Sequence, residues 1–181
     1  MSPAIRTIVE RCWGLTRLDA PYWHLTRTPS SFHHDVRLAK GILRSISAGV
    51  GGERYISKAV TPYALTRRND PKEWLFEQIR RARFPHRPSR LKTLYVFDDY
   101  SLVERALAEW FPRERRVVHE CRLLAGSITH KADTAWLNAQ PIEWASNAES
   151  YWGGATTQNP FAEVLVHGAI YFPCWESLDN R

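Results

Sequence analysis

One carboxylate stands where an apolar strand is expected to begin, and it is the first candidate for chemistry in this sequence. Glu163 follows Phe161 and Ala162 and opens the run VLV at residues 164–166. Burying an unpaired carboxylate costs free energy, so acidic residues are rare inside apolar segments. An exposed carboxylate at a strand start is the ordinary explanation. We favour the alternative, in which Glu163 is a catalytic group.

Two aromatic segments upstream of Glu163 carry further polar groups. The segment YWHLT places His24 two residues before Thr26, and the segment YVF places Tyr95 two residues before Phe97. Residues two apart lie on the same face of a strand. Aromatic rings in strands usually pack in a core, and a lone histidine among them is often an interior side chain, so a purely structural role is the competing explanation for both segments.

In this order the three segments resemble the ADP-ribosyltransferase superfamily. The YWHLT segment looks like the family's opening strand, in which the residues matching His24 and Thr26 contact the nicotinamide carboxamide and the adjoining ribose. The YVFDD segment is similar to the strand whose ring, here Tyr95 or Phe97, stacks on the nicotinamide. Glu163 matches the family's terminal glutamate. The resemblance implies an α+β fold of split antiparallel β-sheets with flanking helices around an NAD cleft.

The resemblance also implies a reaction. NAD is the substrate, and breaking its nicotinamide–ribose bond develops positive charge on the anomeric carbon, which a carboxylate at Glu163 stabilises while His24 and Tyr95 hold the nicotinamide half. ADP-ribose then passes to a macromolecular acceptor, a nucleic acid or a protein, or to water in an NAD glycohydrolase. A small bacterial or phage enzyme of this kind is expected to be a toxin or defence effector with a neutralising partner protein.

Arginines near these segments are candidates for binding the NAD phosphates. Arg27 closes the first segment, and the loop PHRPSR at residues 85–90 offers Arg87 and Arg90. A guanidinium matches phosphate geometry, although an exposed arginine beside a turn is common without any ligand. Phe161 stands where arginine-modifying members of the superfamily carry an acidic or amide residue, which argues against arginine as the acceptor.

Other chemistries find little support in the sequence. The run His33-His34-Asp35 lacks a third ligand at suitable spacing, so no metal is expected. The glycine-rich residues 49–52 lack the lysine of a phosphate-binding loop, and Ser89, Ser127 and Cys121 lack the surroundings of an activated nucleophile. These segments are interpreted as structural.

Composition limits the class of protein. The chain has 181 residues, 44% of them hydrophobic, and a net charge of +6. One domain spanning residues 1–181 is expected, and its positive charge favours an anionic ligand such as a dinucleotide, a nucleic acid or an acidic protein. A non-catalytic nucleic-acid-binding module therefore stays open as an alternative.

The cysteines and the hydropathy favour a cytoplasmic protein that does not bind membranes. The three cysteines, Cys12, Cys121 and Cys174, are odd in number and far apart, which predicts reduced thiols. Charges interrupt the first 13 residues, and no apolar run approaches the length that spans a membrane.

Helices and strands alternate without a regular βαβ rhythm, which favours the α+β class. Helices are predicted at residues 2–14, at 35–49 with Asp35 as cap, at 70–82 with a capping box from Asp70 to Glu73, and at 101–110. Strands are predicted at residues 21–26, 91–97, 117–124 and 163–172, the last with an optional hairpin at His167-Gly168. Residues 133–137 and 146–152 are predicted as single helical turns.

Overall fold

A computed structural model describes residues 20–27, 32–45, 57–59, 67 and 69–178. The predicted helix at residues 2–14, Cys12 and the turn at residues 49–52 lie outside them. The α-helices are α1 (Phe32–Leu38), α2 (Pro71–Arg83), α3 (Tyr100–Glu109) and α4 (Trp144–Gly153). The strands are β1 (Tyr22–Arg27), β2 (Ile42–Ser45), β3 (Ser57–Ala59), β4 (Leu94–Val96), β5 (Arg116–Leu123), β6 (Ile128–Asp133), β7 (Ala162–His167) and β8 (Ala169–Tyr171). Short 3₁₀ helices cover Thr134–Leu137, Pro141–Glu143 and Trp175–Ser177.

The strands form two sheets, which confirms the predicted α+β class. One sheet has the order β1-β5-β8-β2-β3 and the other the order β4-β7-β6. Every pairing is antiparallel except that of β2 with β3. An isolated bridge between Trp23 and Phe97, with both backbone hydrogen bonds at 2.9 Å, joins β1 to the end of β4. The two sheets therefore meet beside the residues that the sequence singled out.

Successive side chains of β7 point to opposite faces of the three-stranded sheet, so they contribute to two separate core clusters. Val164 and Val166 face a cluster that also contains Leu43, Cys121 and Ile170 from the five-stranded sheet. The opposite face of the three-stranded sheet packs under α2 and α4, in the cluster formed by Phe76, Ala132, Ala148, Tyr151, Trp152 and Leu165. The VLV run is thus buried on both faces, which explains why its hydrophobicity does not alternate.

The predicted helix at residues 35–49 is wrong. Helix α1 begins before Asp35 and ends at Leu38, and Ile42 and Leu43 belong to strand β2. Lys40 and Gly41 adopt positive φ angles of 50° and 88°, and the Gly41 amide donates to the Val36 carbonyl, a helix-terminating arrangement. The apolar residues whose spacing predicts one helical face are in fact divided between helix α1 and strand β2.

The optional hairpin at residues 167–168 is also wrong. β7 pairs with β4 and β6, whereas β8 pairs with β2 and β5, so the two segments belong to different sheets. Gly168, with φ of 144°, takes the chain from one sheet to the other. Hydrogen bonds from the Gly168 amide to Ser45 Oγ and from the Ala169 amide to Ser127 Oγ satisfy the backbone at this crossing.

Other elements agree with the sequence more closely. β1, β5, α2 and α3 form as predicted to within a few residues, and so does the turn at Thr134–Leu137. Asp70 caps α2 through a bond from the Lys72 amide, and Asp99 caps α3 through the Ser101 amide. α4 is longer than the predicted single turn, and β6 was not predicted.

The remaining sequence-based expectations can be compared with the described residues. In the part of the chain that the structure describes, Cys121 is a buried free cysteine and Cys174 an exposed one. No helix among residues 20–178 that the structure describes is long and apolar enough to cross a bilayer.

Candidate functional site around Glu163

Glu163 lies under the two helices and not in the core between the sheets. It shares a strand face with Leu165, which packs against α2 and α4, while Val164 points the other way. Only 6% of the residue is exposed. The isolated acidic residue that the sequence singled out is therefore a buried carboxylate, and its charge requires partners.

Two side chains hold this carboxylate. Arg90, itself 3% exposed, donates from Nη1 to Glu163 Oε1, and the Tyr151 hydroxyl donates to the same oxygen at 2.7 Å. Among the described residues no hydrogen bond is made to Glu163 Oε2. Glu163 is therefore anchored through one oxygen, while the other has no protein partner in this part of the chain.

The anchor is itself built into the fold. Arg90 Nε donates to Glu73 Oε2 at 3.2 Å, and Arg90 Nη1 donates to the Tyr151 hydroxyl at 2.7 Å. Burial raises the pKa of Tyr151 well above its usual value, so the hydroxyl keeps its proton and can donate to Glu163. We call Arg90, Glu73, Tyr151 and Glu163 the carboxylate network.

Tyr95 belongs to the surroundings of this network. Its hydroxyl donates to the backbone carbonyl of Arg90, and its ring centroid lies 5.7 Å from the Arg90 guanidinium carbon. Phe97, the other stacking candidate, packs under α3 with Val103, Ala106 and Phe161. Tyr95 is thus the ring that the structure brings beside the arginine holding Glu163.

The His24 side chain contacts the strand that carries Tyr95, through the backbone carbonyl of Tyr95. His24 Nδ1 donates to the Tyr95 carbonyl at 2.7 Å, and its ring lies against Phe32 and Phe172 in the core between the sheets. Burial lowers the pKa of His24, and the hydrogen bond to Tyr95 only partly offsets this effect. His24 is therefore neutral near pH 7, with the proton on Nδ1.

The remaining predicted site residues lie outside the carboxylate network. Thr26 Oγ1 is hydrogen-bonded to His119 Nε2 at 2.8 Å. Arg27 is exposed at the end of β1, 3.9 Å from a carboxylate oxygen of Glu114. Arg90, predicted as a phosphate ligand, binds two carboxylates. No described group of three or more His, Cys, Asp or Glu side chains is arranged to hold a metal ion.

Sequence reasoning missed three members of the site. Tyr151 lies in the segment YWG at residues 151–153, for which the local sequence predicts a helical turn and no site role. Glu73 was interpreted as part of a capping box, whereas it pairs with Arg90. Asp133 gave no signal, because its importance depends on a loop distant in sequence.

Asp133 fixes the segment that leads into Glu163. Its carboxylate accepts hydrogen bonds from the amides of Ala135, Thr157 and Phe161 and from the Thr157 hydroxyl, at 2.7–3.0 Å. Burial would raise the pKa of Asp133, but the bonds from Phe161, Thr157 and Ala135 outweigh it and hold the pKa below its usual value. Asp133 therefore holds in place the segment from which the strand carrying Glu163 begins.

Two buried histidines beside the site predict acid sensitivity. Burial lowers the pKa of His119 from 6.5 to about 3, with His24 and His33 adding to the effect, and burial lowers the pKa of His130 to about 4. The unfolded chain binds protons below pH 6.5 that the folded chain does not. We expect the free energy of unfolding to fall from pH 6.5 to pH 4, by about 1.4 kcal/mol per pH unit for each histidine.

Urea unfolding followed by tryptophan fluorescence tests this at several pH values. The variant His130→Gln can still donate to the Tyr151 carbonyl, which His130 Nε2 contacts at 3.0 Å, and should reduce the pH dependence. His34→Gln, on an exposed residue of α1, is the control and should not. An equal pH dependence in all three proteins would contradict the prediction.

Comparison with known families assigns the chain to one of them. Residues 51–179, more than half of the chain, match the family described as protein of unknown function (DUF2441), and the chain belongs to that family. The match includes Glu73, Arg90, Tyr95, Tyr151 and Glu163 but not His24. No curated protein matches the chain.

Proposed function

We propose that this chain is an NAD-dependent ADP-ribosyltransferase, with Glu163 as its catalytic carboxylate and ADP-ribose passing to a macromolecular acceptor. In this proposal the two sheets, which meet at Trp23 and Phe97, correspond to the split sheets of the ADP-ribosyltransferase-like fold. The observation that carries the proposal is the one-sided anchoring of Glu163. Arg90 and Tyr151 both bind Oε1, and Oε2 has no hydrogen bond from the described residues.

One-sided anchoring suits this chemistry. The bond between nicotinamide and the ribose anomeric carbon breaks with its electron pair going to nicotinamide, which leaves as a neutral molecule. The sugar then carries positive charge until the acceptor supplies an electron pair and loses a proton. Oε2 of Glu163 can accept a hydrogen bond from the ribose 2′-hydroxyl and stabilise that charge, while Arg90 and Tyr151 prevent the carboxylate from turning away.

The neighbouring residues support the assignment of the nicotinamide end. Tyr95 lies beside Arg90, one hydrogen bond from the network that holds Glu163. His24 does not share the sheet face of Tyr95 and Glu163: its ring lies in the core between the sheets, and it supports the position of Tyr95 by donating from Nδ1 to the Tyr95 carbonyl. Tyr95 and Glu163 thus lie on the same face of the sheet and supply the ring and the carboxylate that this substrate needs, with His24 acting through Tyr95.

Nicotinamide release from NAD by the purified protein tests the proposal. We expect Glu163→Gln to lower the rate by about 100- to 1,000-fold, because the amide cannot supply the negative charge that stabilises the transition state. The amide is nearly the same size, and the urea unfolding midpoint of each variant shows whether the fold survives. Release with and without added RNA, DNA or protein separates a transferase from an NAD glycohydrolase.

Glu149→Gln provides the matched control. Glu149 is a glutamate of α4 whose side chain is 46% exposed and pairs with Arg83 at the surface. Its isosteric replacement should leave nicotinamide release unchanged. Wild-type protein that releases no nicotinamide, or equal rates in wild type and Glu163→Gln, would exclude the proposed function.

A further inference from the structure

A basic cleft on the surface is lined by none of the four residues of the carboxylate network. It has a volume of about 510 Å³, and its lining includes Arg81, His86, Arg87, Lys92, Ile128 and His167 but not His24, Tyr95 or Glu163. Of the described residues that line it, four are arginine or lysine and one, Glu77, carries a carboxylate, which gives these residues a net charge of +3. A cleft with this charge favours an anionic ligand.

The walls of the cleft are fixed by Arg80. Its Nη1 donates to the carbonyls of Pro85 and Arg87, at 3.3 and 2.8 Å, so the loop after α2 is held against the helix. Its Nε and Nη2 donate to the two oxygens of Glu77. The side chain of Arg80 is only 12% exposed, so it contributes to the structure of the cleft more than to ligand binding.

Glu77, the carboxylate found among the described residues of the cleft, is engaged with protein donors. Glu77 accepts hydrogen bonds from Arg80, Arg81 and the Ser89 hydroxyl. Burial would raise the pKa of Glu77, but these donors hold it below its usual value, so the carboxylate stays charged and matched. Its repulsion of an incoming anion is correspondingly reduced.

Arg87 is the cation best placed to meet a ligand. Its side chain is exposed at the lip of the cleft, and no hydrogen bond or ion pair of its guanidinium to a described residue is found. Within the loop Arg87 is bonded through its backbone: its amide donates to the Phe84 carbonyl, and its carbonyl accepts from Arg80 Nη1. Arg81, with a side chain 59% exposed, lies on the helix side of the same cleft.

We propose that this cleft binds the phosphodiester backbone of a single nucleic-acid strand. The cations are spread over a helix, a loop and the segment that follows, so they suit successive phosphates better than one phosphate group. The cleft is concave, which admits one strand more readily than the convex surface of a duplex. Among the described residues that line it there is no tryptophan, tyrosine or phenylalanine, so contact is expected with the backbone and not by stacking on bases.

Fluorescence anisotropy with a fluorescein-labelled oligothymidylate of about 12 nucleotides tests this proposal in the absence of NAD. We expect binding that weakens between about 50 and 200 mM salt. Arg87→Glu should weaken it by about tenfold or more and lower the slope of log Kd against log salt by about one. Glu163→Gln should bind as wild type, so failure of this proposal and failure of the proposed enzyme activity are read separately.

Arg113→Glu is the matched control, because Arg113 is an exposed arginine outside the cleft and its reversal changes the net charge equally. Its effect should be less than about twofold. Equal weakening by Arg113→Glu and Arg87→Glu would overturn the proposal, since only net charge would then matter. Displacement by inorganic phosphate at matched ionic strength, or tighter binding of a duplex of the same sequence, would also overturn it.

Discussion

Replacing Arg90 with methionine is expected to lower the free energy of unfolding by about 3–5 kcal/mol. Methionine fills similar space but removes the only guanidinium found, among the described residues, between Glu73 and Glu163. Glu163 would then be buried with no cation from the described residues, and Glu73 would lose its buried guanidinium partner, which is far more costly than loss of an exposed ion pair. Urea unfolding at pH 7 measures the change.

Arg83→Met is the control for this prediction. Arg83 also pairs with a glutamate, Glu149, but the two side chains are 57% and 46% exposed, so its loss should cost less than about 1 kcal/mol. The double variant Arg90→Met with Glu163→Gln should recover part of the loss, because one unmatched charge has been removed. Similar destabilisation by Arg83→Met and Arg90→Met would show that burial of the network is not what matters.

Asp133→Ala is expected to have the second largest effect on stability, about 3–5 kcal/mol. Alanine leaves three backbone amides and a hydroxyl without their acceptor in a place where the aspartate is only 1% exposed. Each unsatisfied buried donor costs about 1–3 kcal/mol, although neighbouring losses do not add fully. Tryptophan fluorescence during urea unfolding gives the value.

Asp99→Ala separates this effect from the loss of an ordinary helix cap. Asp99 caps α3 at an exposed position and accepts, among the described residues, from the Ser101 amide and hydroxyl, so its replacement should cost much less stability than that of Asp133. Asp133→Ala should also reduce nicotinamide release in protein that stays folded, because Phe161, one of its partners, lies two residues before Glu163. Equal unfolding midpoints for the two variants would contradict the special role of Asp133.

Local signals account for the elements that could be predicted. Asp70 followed by Pro71 marks the start of α2, because capping depends on residues close in sequence, and the helix predicted from Ser101 begins at Tyr100 with Asp99 as its cap. The same holds for the aromatic run of β1. β6 was missed because its sequence, ITHKAD, has little apolar character, and its strand conformation depends on six pairings with β7.

The predicted site likewise contains residues that local sequence identifies and contacts that depend on distant segments. Glu163 could be singled out because a carboxylate beside a VLV run needs an explanation, and His24 and Tyr95 because they stand in aromatic strands. The pairing of Arg90 with Glu73 and Glu163 could not be predicted, because these residues are 17 and 73 positions from Arg90 and meet only when α2 packs over β7. An arginine in a loop has the same local sequence whether it binds a phosphate or a buried carboxylate.

The sequence alone determined the α+β class, the cap of α2, the start of α3 to within one residue, the positive charge and the carboxylate that most needed a partner. These properties follow from composition, from alternation and from contacts between residues a few positions apart. Only the tertiary structure decided that residues 36–46 divide into a helix and a strand, that Gly168 passes the chain between sheets, and that Glu163 is held through one oxygen. Those outcomes depend on pairing and packing between distant segments. A local sequence pattern does not report the free energies of such contacts.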